Sequence, residues 1–169
     1  MSKAPKNLVV RRSGPVSYDE TENTVDIVYS TGARRDTGTY WETLVVSEEA
    51  IDTTRLDLGA EFLLVDHYPN AYALGRVISH RIEDGQAVAT VQLSEADYDS
   101  GFVTDIKSGV IRQVSVGYEQ LAFEDSEVDG VRERLVTRWM PWEFQSSRYP
   151  PTRRPTSAHP ERSHTGDRR

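Results

Sequence analysis

The sequence predicts a mostly β fold with a few helices, of the α+β class, and three observations support this prediction. Apolar and polar residues alternate over most of the chain, which is the period of a half-buried strand. An Asp84-Gly85 pair separates two such runs, and this dipeptide is typical of a tight hairpin turn. Only two short segments have features of a helix. Strands with one or two inserted helices indicate a closed or half-closed barrel decorated by helices.

The predicted strands are rich in Val and Ile, which favour pleated, half-buried positions. The clearest pair is the hairpin of residues 76–82 and 87–93, joined through Asp84-Gly85. The other predicted strands are residues 24–30, 43–46, 61–65, 110–116 and 134–139. Residues 124–130 are acidic or small with one exception, and this composition predicts a loop.

A helix is predicted to begin near Ser94 and to end before Gly109, a residue suited to the left-handed position that follows a helix. Its apolar residues recur at every fourth position: Tyr98, Phe102 and Ile106. A second, shorter helix is predicted to begin at Ser47, because two glutamates follow where the helix dipole favours negative charge.

The chain of 169 residues is long enough for one domain, and its charge is unevenly spread. Residues 148–169 hold six arginines and two acidic residues, so this tail carries +4 and the preceding residues carry −11. The tail has almost no apolar residues with which to offset chain entropy. We therefore predict a flexible basic segment over residues 1–20, a folded domain over residues 21–147 and a disordered basic tail over residues 148–169.

Composition also limits the chemistry and the partners of the chain. The chain has no cysteine, which excludes disulfides, thiolate zinc sites and a cysteine nucleophile. A net charge of −7 argues against nucleic acid as a partner. No apolar run has the length of a signal peptide or of a membrane span, so we expect a soluble intracellular protein without a membrane partner.

Two of the four histidines, His67 and His80, lie within the predicted domain. His67 follows an apolar strand and precedes a Pro-Asn turn, a strand end of the kind that commonly carries function. The alternative is a surface histidine that merely ends a strand. Alternation puts His80 on the same strand face as Ile78 and Ile82, which favours a partly buried structural histidine. His80 is also a candidate third member of a catalytic triad.

Ser115 is the candidate nucleophile, because it lies on a predicted strand that follows the helix ending at Gly109. Gly117, two residues later, permits close approach of a ligand or of backbone. The alternative is an ordinary strand hydroxyl. A metal site built from Asp66, His67 and His80 is a weaker competing hypothesis, because these residues lack the spacing of known ligand sets and no fourth ligand is evident.

Three ordered segments resemble the motifs of the tailed-bacteriophage prohead maturation proteases, serine endopeptidases related to herpesvirus assemblin. The segments are Leu63-Leu64-Val65-Asp66-His67, Val114-Ser115-Val116-Gly117-Tyr118 and Trp139-Met140-Pro141-Trp142-Glu143. Each motif alone is weak, and the ordered set is more specific. The resemblance covers residues 25–143 and implies a closed assemblin-like β-barrel ringed by short helices over the domain of residues 21–147.

By this resemblance Ser115 is the nucleophile, His67 the general base and Glu143 the acid that orients the imidazole. His80 is the fallback for the third role, since the herpesvirus relatives have a histidine there. Arg112 and Arg138 are candidate helpers of an oxyanion hole. The resemblance further implies a protease inside the assembling procapsid in the host bacterial cytoplasm, without metal or small-molecule cofactor. Its substrates would be the scaffolding portion of the major capsid protein and the protease itself, and self-association is left open.

The carboxyl end departs from the family pattern after Glu143. Family members continue there with a further apolar strand, whereas this chain continues with Phe144-Gln145-Ser146-Ser147-Arg148. A shifted reading frame of GC-rich codons would restore a family-like strand, so we hypothesise that residues after about Phe144 are out of frame. A chain with a damaged end would be a weakened protease, or a non-catalytic capsid-assembly protein of the same fold.

Overall fold

A computed structural model describes residues 9–12, 16–65, 73–95, 100–111 and 114–146. The described part of the chain contains ten strands and two short helices. The strands are β1 (Val9–Arg12), β2 (Val16–Asp19), β3 (Thr24–Ser30), β4 (Arg35–Asp36), β5 (Trp41–Leu44), β6 (Phe62–Val65), β7 (Ala73–Glu83), β8 (Gln86–Leu93), β9 (Val114–Val128) and β10 (Val131–Ser146). The helices are α1 (Thr54–Asp57) and α2 (Ser100–Lys107).

The strands form one sheet in the order β1-β9-β10-β6-β7-β8-β3-β2. The pairings along this path are antiparallel except that of β10 with β6, which is parallel. β5 also pairs with β10 in parallel, and β4 pairs with β5. The sheet curls so that β3 packs against β9, yet β1 and β2 remain separate edges among the described strands. The mostly β prediction is therefore confirmed, as a curled sheet.

The core lies inside the curl and contains a cluster of aromatic rings. Trp139, Tyr29, Tyr118 and Phe144 are each fully buried. The rings of Tyr29 and Trp139 meet edge to face with centroids 6.1 Å apart, and those of Tyr118 and Trp139 do so at 5.6 Å. Edge-to-face pairs add to the stabilisation that burial itself provides. Two of these residues lie on β10 and one on β9, so the core fixes the two strands that carry the candidate site.

Several predicted elements are present in the structure. The hairpin of β7 and β8 turns at Asp84-Gly85, where both residues have positive φ, at 50° and 73°. β3 covers the predicted residues 24–30. The helix predicted to begin near Ser94 corresponds to α2, which begins at Ser100, since Ser94 and Glu95 are not helical. Gly109 has the expected positive φ of 73°. The predicted strands at residues 43–46 and 61–65 correspond to β5 and β6 with shifted boundaries.

The largest error of prediction concerns residues 124–130, which form a hairpin instead of a loop. β9 runs to Val128, the turn is Asp129-Gly130 with φ of 52° and 76°, and β10 begins at Val131. Both faces of β9 beyond Gln120 are exposed, so no alternation of burial marked this strand in the sequence. The strand predicted at 110–116 begins four residues later, at Val114, and the strand predicted at 134–139 lies within the longer β10.

Smaller corrections concern the helices and the amino-terminal segment. Ser47 begins a turn instead of a helix, and its Oγ accepts a hydrogen bond from the backbone N–H of Ala50 at 3.2 Å. The short helix of this region is α1, which begins at Thr54. Within the segment predicted to be flexible, residues 1–20, β1 and β2 are strands. The predicted tail, residues 148–169, lies outside the described residues.

Candidate active site

Ser115 lies at the start of β9 on the face opposite to the core. Its neighbours Val114 and Val116 are buried on the core face, whereas Ser115 is half-buried. Ser115 pairs with Gln145 on β10 and with Arg12 on β1. The nucleophile predicted from the sequence therefore has a strand on each side and a partly covered hydroxyl.

Glu143 lies on the same face as Ser115, two positions away along β10. Gln145 pairs with Ser115 and Glu143 pairs with Gly117 across the antiparallel ladder. Residues two positions apart on a strand share a face, so Ser115 and Glu143 are diagonal neighbours. Gly117, the partner of Glu143, is buried and has no side chain. The register thus brings together two of the three residues predicted to form the triad.

Gln145 lies between Ser115 and Glu143 on this face and is 6% exposed. Its Nε2 donates a hydrogen bond to Oε1 of Glu143. Its Oε1 is buried and has no hydrogen-bond partner among the described residues. Gln145 therefore holds the Glu143 carboxylate from a position directly opposite Ser115.

A second buried carboxyl lies near Glu143. Glu61 immediately precedes β6, is 1% exposed, and forms an ion pair with Nε of Arg55. The pKa of Glu61 is raised to about 7, mainly by burial and to a smaller extent by the negative charge of Glu143, against the opposing effect of Arg55. The guanidinium of Arg55 lies over the ring of Trp142, with its Cζ 3.9 Å from the ring centroid.

His67 and Asp66, the other residues of the first motif, lie outside the described residues. The described range that precedes them ends at Val65, which pairs with Ser146 in the parallel ladder of β6 and β10. One step back, Leu64 pairs with Gln145, which in turn pairs with Ser115. Three adjacent strands therefore bring Ser115, Gln145 and Leu64 into one row.

His80 is not close to this row. Ala73 is the β7 partner of Leu64, and His80 lies seven residues further along the strand, about 23 Å at 3.3 Å per residue. The Nε2 of His80 is instead 3.5 Å from Oδ1 of Asp57. Ile78 is 48% exposed, because a register shift between Val77 and Ser79 breaks the alternation that predicted a shared apolar face. The fallback role for His80 has no support in the register.

The structure also bears on one of the two candidate oxyanion-hole arginines and on the competing metal hypothesis. Arg138 is exposed and forms an ion pair with Asp52 at 3.0 Å, which accounts for its charge. Arg112 lies outside the described residues. No group of three His, Asp or Glu side chains that could hold a metal ion is found within the described ranges. The competing metal hypothesis also depends on Asp66 and His67, on which the structure is silent.

Four residues near the candidate site were not predicted to belong to it: Gln145, Glu61, Arg55 and Trp142. Glu61 was included in a predicted strand, and a lone acid at the start of an apolar run was the only signal that it carried. Gln145 belonged to the segment hypothesised to be out of frame. β10 nevertheless continues through Phe144, Gln145 and Ser146, with partners on both sides. The strand expected after Glu143 is therefore present for three residues.

No helix within the described ranges has the length and apolar character needed to cross a bilayer. Comparisons of the chain with protein-family models, with curated proteins and with solved structures give no match.

Proposed function

We propose that this chain is a serine endopeptidase of the phage prohead-maturation type, with Ser115 as nucleophile, His67 as general base and Glu143 as the orienting acid. The observation that carries the proposal is the register of β9 and β10, which puts Ser115 and Glu143 on one face as diagonal neighbours. The three motifs that resemble the prohead proteases supply the assignment of roles.

Ser115 and Glu143 are diagonal neighbours, whose alpha carbons are about 7–8 Å apart in an antiparallel ladder. Their side chains leave the sheet on one face, and an imidazole that joins them needs a hydrogen bond of about 2.8 Å to each. The Gln145 side chain lies between them, so the imidazole would lie over the Gln145 amide. Ser115 and Glu143 are both half-buried, so a substrate can reach the hydroxyl.

The proposal requires the chain to turn back toward Glu143 after β6, because β6 runs parallel to β10 and Val65 lies beside Ser146, on the side of Gln145 away from Glu143. Leu64 belongs to the row that contains Gln145 and Ser115, and Val65 is the last described residue of the strand. His67 follows Val65 by two residues, and two residues of extended chain reach about 7 Å. A turn after Val65 would therefore be needed, in addition to this reach, for the imidazole to lie between Ser115 and Glu143.

The proposed reaction is ordinary acyl transfer. The Ser115 Oγ attacks the peptide carbonyl carbon while His67 takes the hydroxyl proton, and a tetrahedral intermediate forms. The C–N bond then breaks as His67 returns the proton to the leaving amine. Water repeats the sequence on the acyl-enzyme and releases the acid. Glu143 accepts the second imidazole N–H throughout and stabilises the imidazolium. Backbone N–H groups would form the oxyanion hole.

β1 pairs with β9 in antiparallel register, with Arg12 opposite Ser115, so a segment of this chain already lies in extended form beside the proposed nucleophile. A polypeptide substrate that added to β9 as a strand, which is a common mode of peptide recognition, would have to take the place of β1. By the family resemblance, the substrates are the scaffolding portion of the major capsid protein and the protease itself, inside the procapsid in the host bacterial cytoplasm. The mechanism needs no metal and no cofactor.

Co-expression with the neighbouring capsid protein tests the proposal. The capsid-protein mass is read by intact mass spectrometry for the wild type, for Ser115→Ala and for Ser79→Ala. Ser79 is an exposed hydroxyl on β7 and serves as the matched control. We expect shortening with the wild type and with Ser79→Ala, and a full-length product with Ser115→Ala. A full-length product with all three would favour the non-catalytic capsid-assembly protein.

A further inference from the structure

A β-bulge in β10 decides which face of the sheet carries Glu143. Pro141 pairs with Tyr118 and Glu143 pairs with Gly117, so Trp142 is an extra residue without a partner on β9. In an uninterrupted ladder Glu143 would pair with Val116, whose side chain is fully buried in the core. One inserted residue therefore moves the carboxylate from the core face to the face of Ser115.

Side chains from two other elements hold the extra residue in place. The guanidinium of Arg55, from α1, stacks on the Trp142 ring with its Cζ 3.9 Å from the centroid. The indole Nε1 of Trp142 donates a hydrogen bond to Oε2 of Glu119 on β9, at 3.3 Å. The ring is therefore fixed on its face and at its edge. Arg–Trp stacking contributes more when the pair is partly shielded from water, and the Arg55 side chain is 24% exposed.

Arg55 is itself anchored by a buried partner. Its Nε is paired with Oε1 of Glu61, which is 1% exposed. The other carboxyl oxygen of Glu61 has no hydrogen-bond partner in the described part of the chain. The negative charge of Glu143 raises the pKa of Glu61, so the proposed acid lies near the carboxyl group that anchors Arg55. A guanidinium that is paired with a buried carboxylate is held in its orientation more firmly than one that is surrounded by solvent.

We infer that Arg55 and Trp142 are positioning residues of the proposed site. Arg55, anchored by Glu61, pins the bulge at Trp142 and so keeps Glu143 on the face that carries Ser115. This inference rests on the proposed function, because it assigns a catalytic purpose to the position of Glu143. Neither residue contacts the substrate or the reacting atoms.

The test compares cleavage of a capsid-derived peptide by the full chain and by three variants, Arg55→Gln, Trp142→Ala and Trp142→Phe. A small misplacement of a catalytic group costs about 100-fold in rate. We expect kcat to fall by about 10-fold to 100-fold in Arg55→Gln and Trp142→Ala, with KM within about 2-fold of the wild type, because substrate contacts are unchanged. Trp142→Phe keeps a ring under Arg55 and should recover most of kcat.

The chain contains a chemically matched control. Arg34 stacks on Trp41 with its Cζ 4.1 Å from the ring and pairs with Glu133, far along β10 from Glu143. Arg34→Gln therefore removes the same type of contact at a distance from the proposed site. We expect it to leave kcat and KM unchanged. If Arg55→Gln and Trp142→Ala cleave as well as Arg34→Gln does, the inference is wrong and the proposed function stands.

A structural measurement separates the inference from the proposed function. Nuclear Overhauser contacts between the alpha protons of Glu143 and Gly117 report the bulged register in solution. We expect these contacts in the wild type and in Arg34→Gln, and their loss in Arg55→Gln. If the wild type shows no Ser115-dependent cleavage, the proposed function is wrong. Contacts that persist in Arg55→Gln overturn the pinning of the bulge.

Discussion

Ser115 and Gln145 lie directly opposite each other on β9 and β10, and Gln145 also donates a hydrogen bond to Glu143. One side chain thus adjoins both the proposed nucleophile and the proposed acid. Gln145 is 6% exposed, and its Oε1 is buried without a hydrogen-bond partner among the described residues. A buried unpartnered acceptor costs stability, and a role of the Gln145 amide in the proposed site would explain why this cost is accepted.

Replacing Gln145 with Leu should separate activity from stability. The variant loses the hydrogen bond to Glu143, and it also loses the unpartnered oxygen, so the two effects on stability offset each other. We expect the free energy of unfolding to change by less than about 1 kcal/mol, while cleavage of the capsid protein falls at least about 10-fold. Urea unfolding and a cleavage assay measure the two quantities. Unchanged cleavage would contradict a role for the Gln145 amide.

The sequence contained enough information for the sheet and for part of the site. Alternation and the Asp84-Gly85 turn predicted the hairpin of β7 and β8, because one face of each strand is buried. The arm of β9 and β10 beyond Gln120 was not predictable from burial, since both of its faces are exposed. The motifs identified Ser115 and Glu143. Their shared face depends on a bulge at Trp142, and an inserted residue leaves no periodic signal.

The two histidines of the domain should differ sharply in their effect on cleavage. His67→Ala removes the proposed general base and should lower the rate by about 10⁴-fold or more, comparable to loss of the nucleophile. His80→Ala removes only the 3.5 Å contact with Asp57 and should leave the rate unchanged. Comparison of the two variants in the capsid cleavage assay checks both statements. Strong loss with His80→Ala would restore the histidine alternative for the third triad position.

The hydrogen bond from the Tyr118 hydroxyl to the buried carboxylate of Glu42 should be important for stability. Glu42 on β5 is fully buried, and its two oxygens accept hydrogen bonds from the Tyr118 hydroxyl and from Nε2 of Gln120. Hydrogen bonds to charged groups contribute about 1.5–3 kcal/mol, and the buried carboxylate would be left with one donor fewer. Tyr118→Phe should therefore lower the free energy of unfolding by about 2–3 kcal/mol.

Tyr18→Phe is the control for this prediction. The Tyr18 hydroxyl donates to the uncharged Asn23 side chain at 3.1 Å, in a half-buried position. A neutral hydrogen bond of this kind contributes about 1 kcal/mol or less. Urea unfolding of both variants measures the difference. Equal losses would mean that the Glu42 carboxyl finds another donor when the Tyr118 hydroxyl is removed.

Gly75 on β7 should tolerate no side chain, because the neighbouring strand is too close. A Cβ at Gly75 would lie 2.9 Å from Cγ1 of Val91 and closer still to the backbone carbonyl of Gln92. Backbone cannot move aside as a flexible side chain can, so Gly75→Ala should cost about 3 kcal/mol or more. In Gly85→Ala the Cβ meets nothing within 4 Å, and only the positive φ of 73° is strained. That variant should cost about 1 kcal/mol. Thermal unfolding ranks the two, and the opposite order would show that β8 yields at Gln92.

Glu61 should make the folded state less stable as the pH rises toward neutrality. Burial raises the pKa of its carboxyl to about 7, whereas the unfolded chain has an ordinary value near 4.5. Below pH 4.5 the carboxyl is protonated in both states, and the stability is fully present. Between these two values the folded state binds more protons than the unfolded state does, so stability falls as the pH rises through this window and then levels off above about pH 7. A difference of this size corresponds to about 3 kcal/mol at 1.36 kcal/mol per pKa unit.

The variant Glu61→Gln removes the titrating group and should therefore lack this part of the pH dependence. Urea unfolding of both proteins from pH 4.5 to pH 8 gives a difference curve in which Glu61→Gln gains on the wild type by up to about 3 kcal/mol. Glu49→Gln is the control, since hydrogen bonds from its own backbone N–H and from Ser47 lower the pKa of the exposed Glu49 from its ordinary value of 4.5. The stability that Glu49 contributes is lost only as the pH falls below that value, so its difference curve should be flat over this range. A flat difference curve for Glu61→Gln would mean that Arg55 alone compensates the burial of the Glu61 carboxylate.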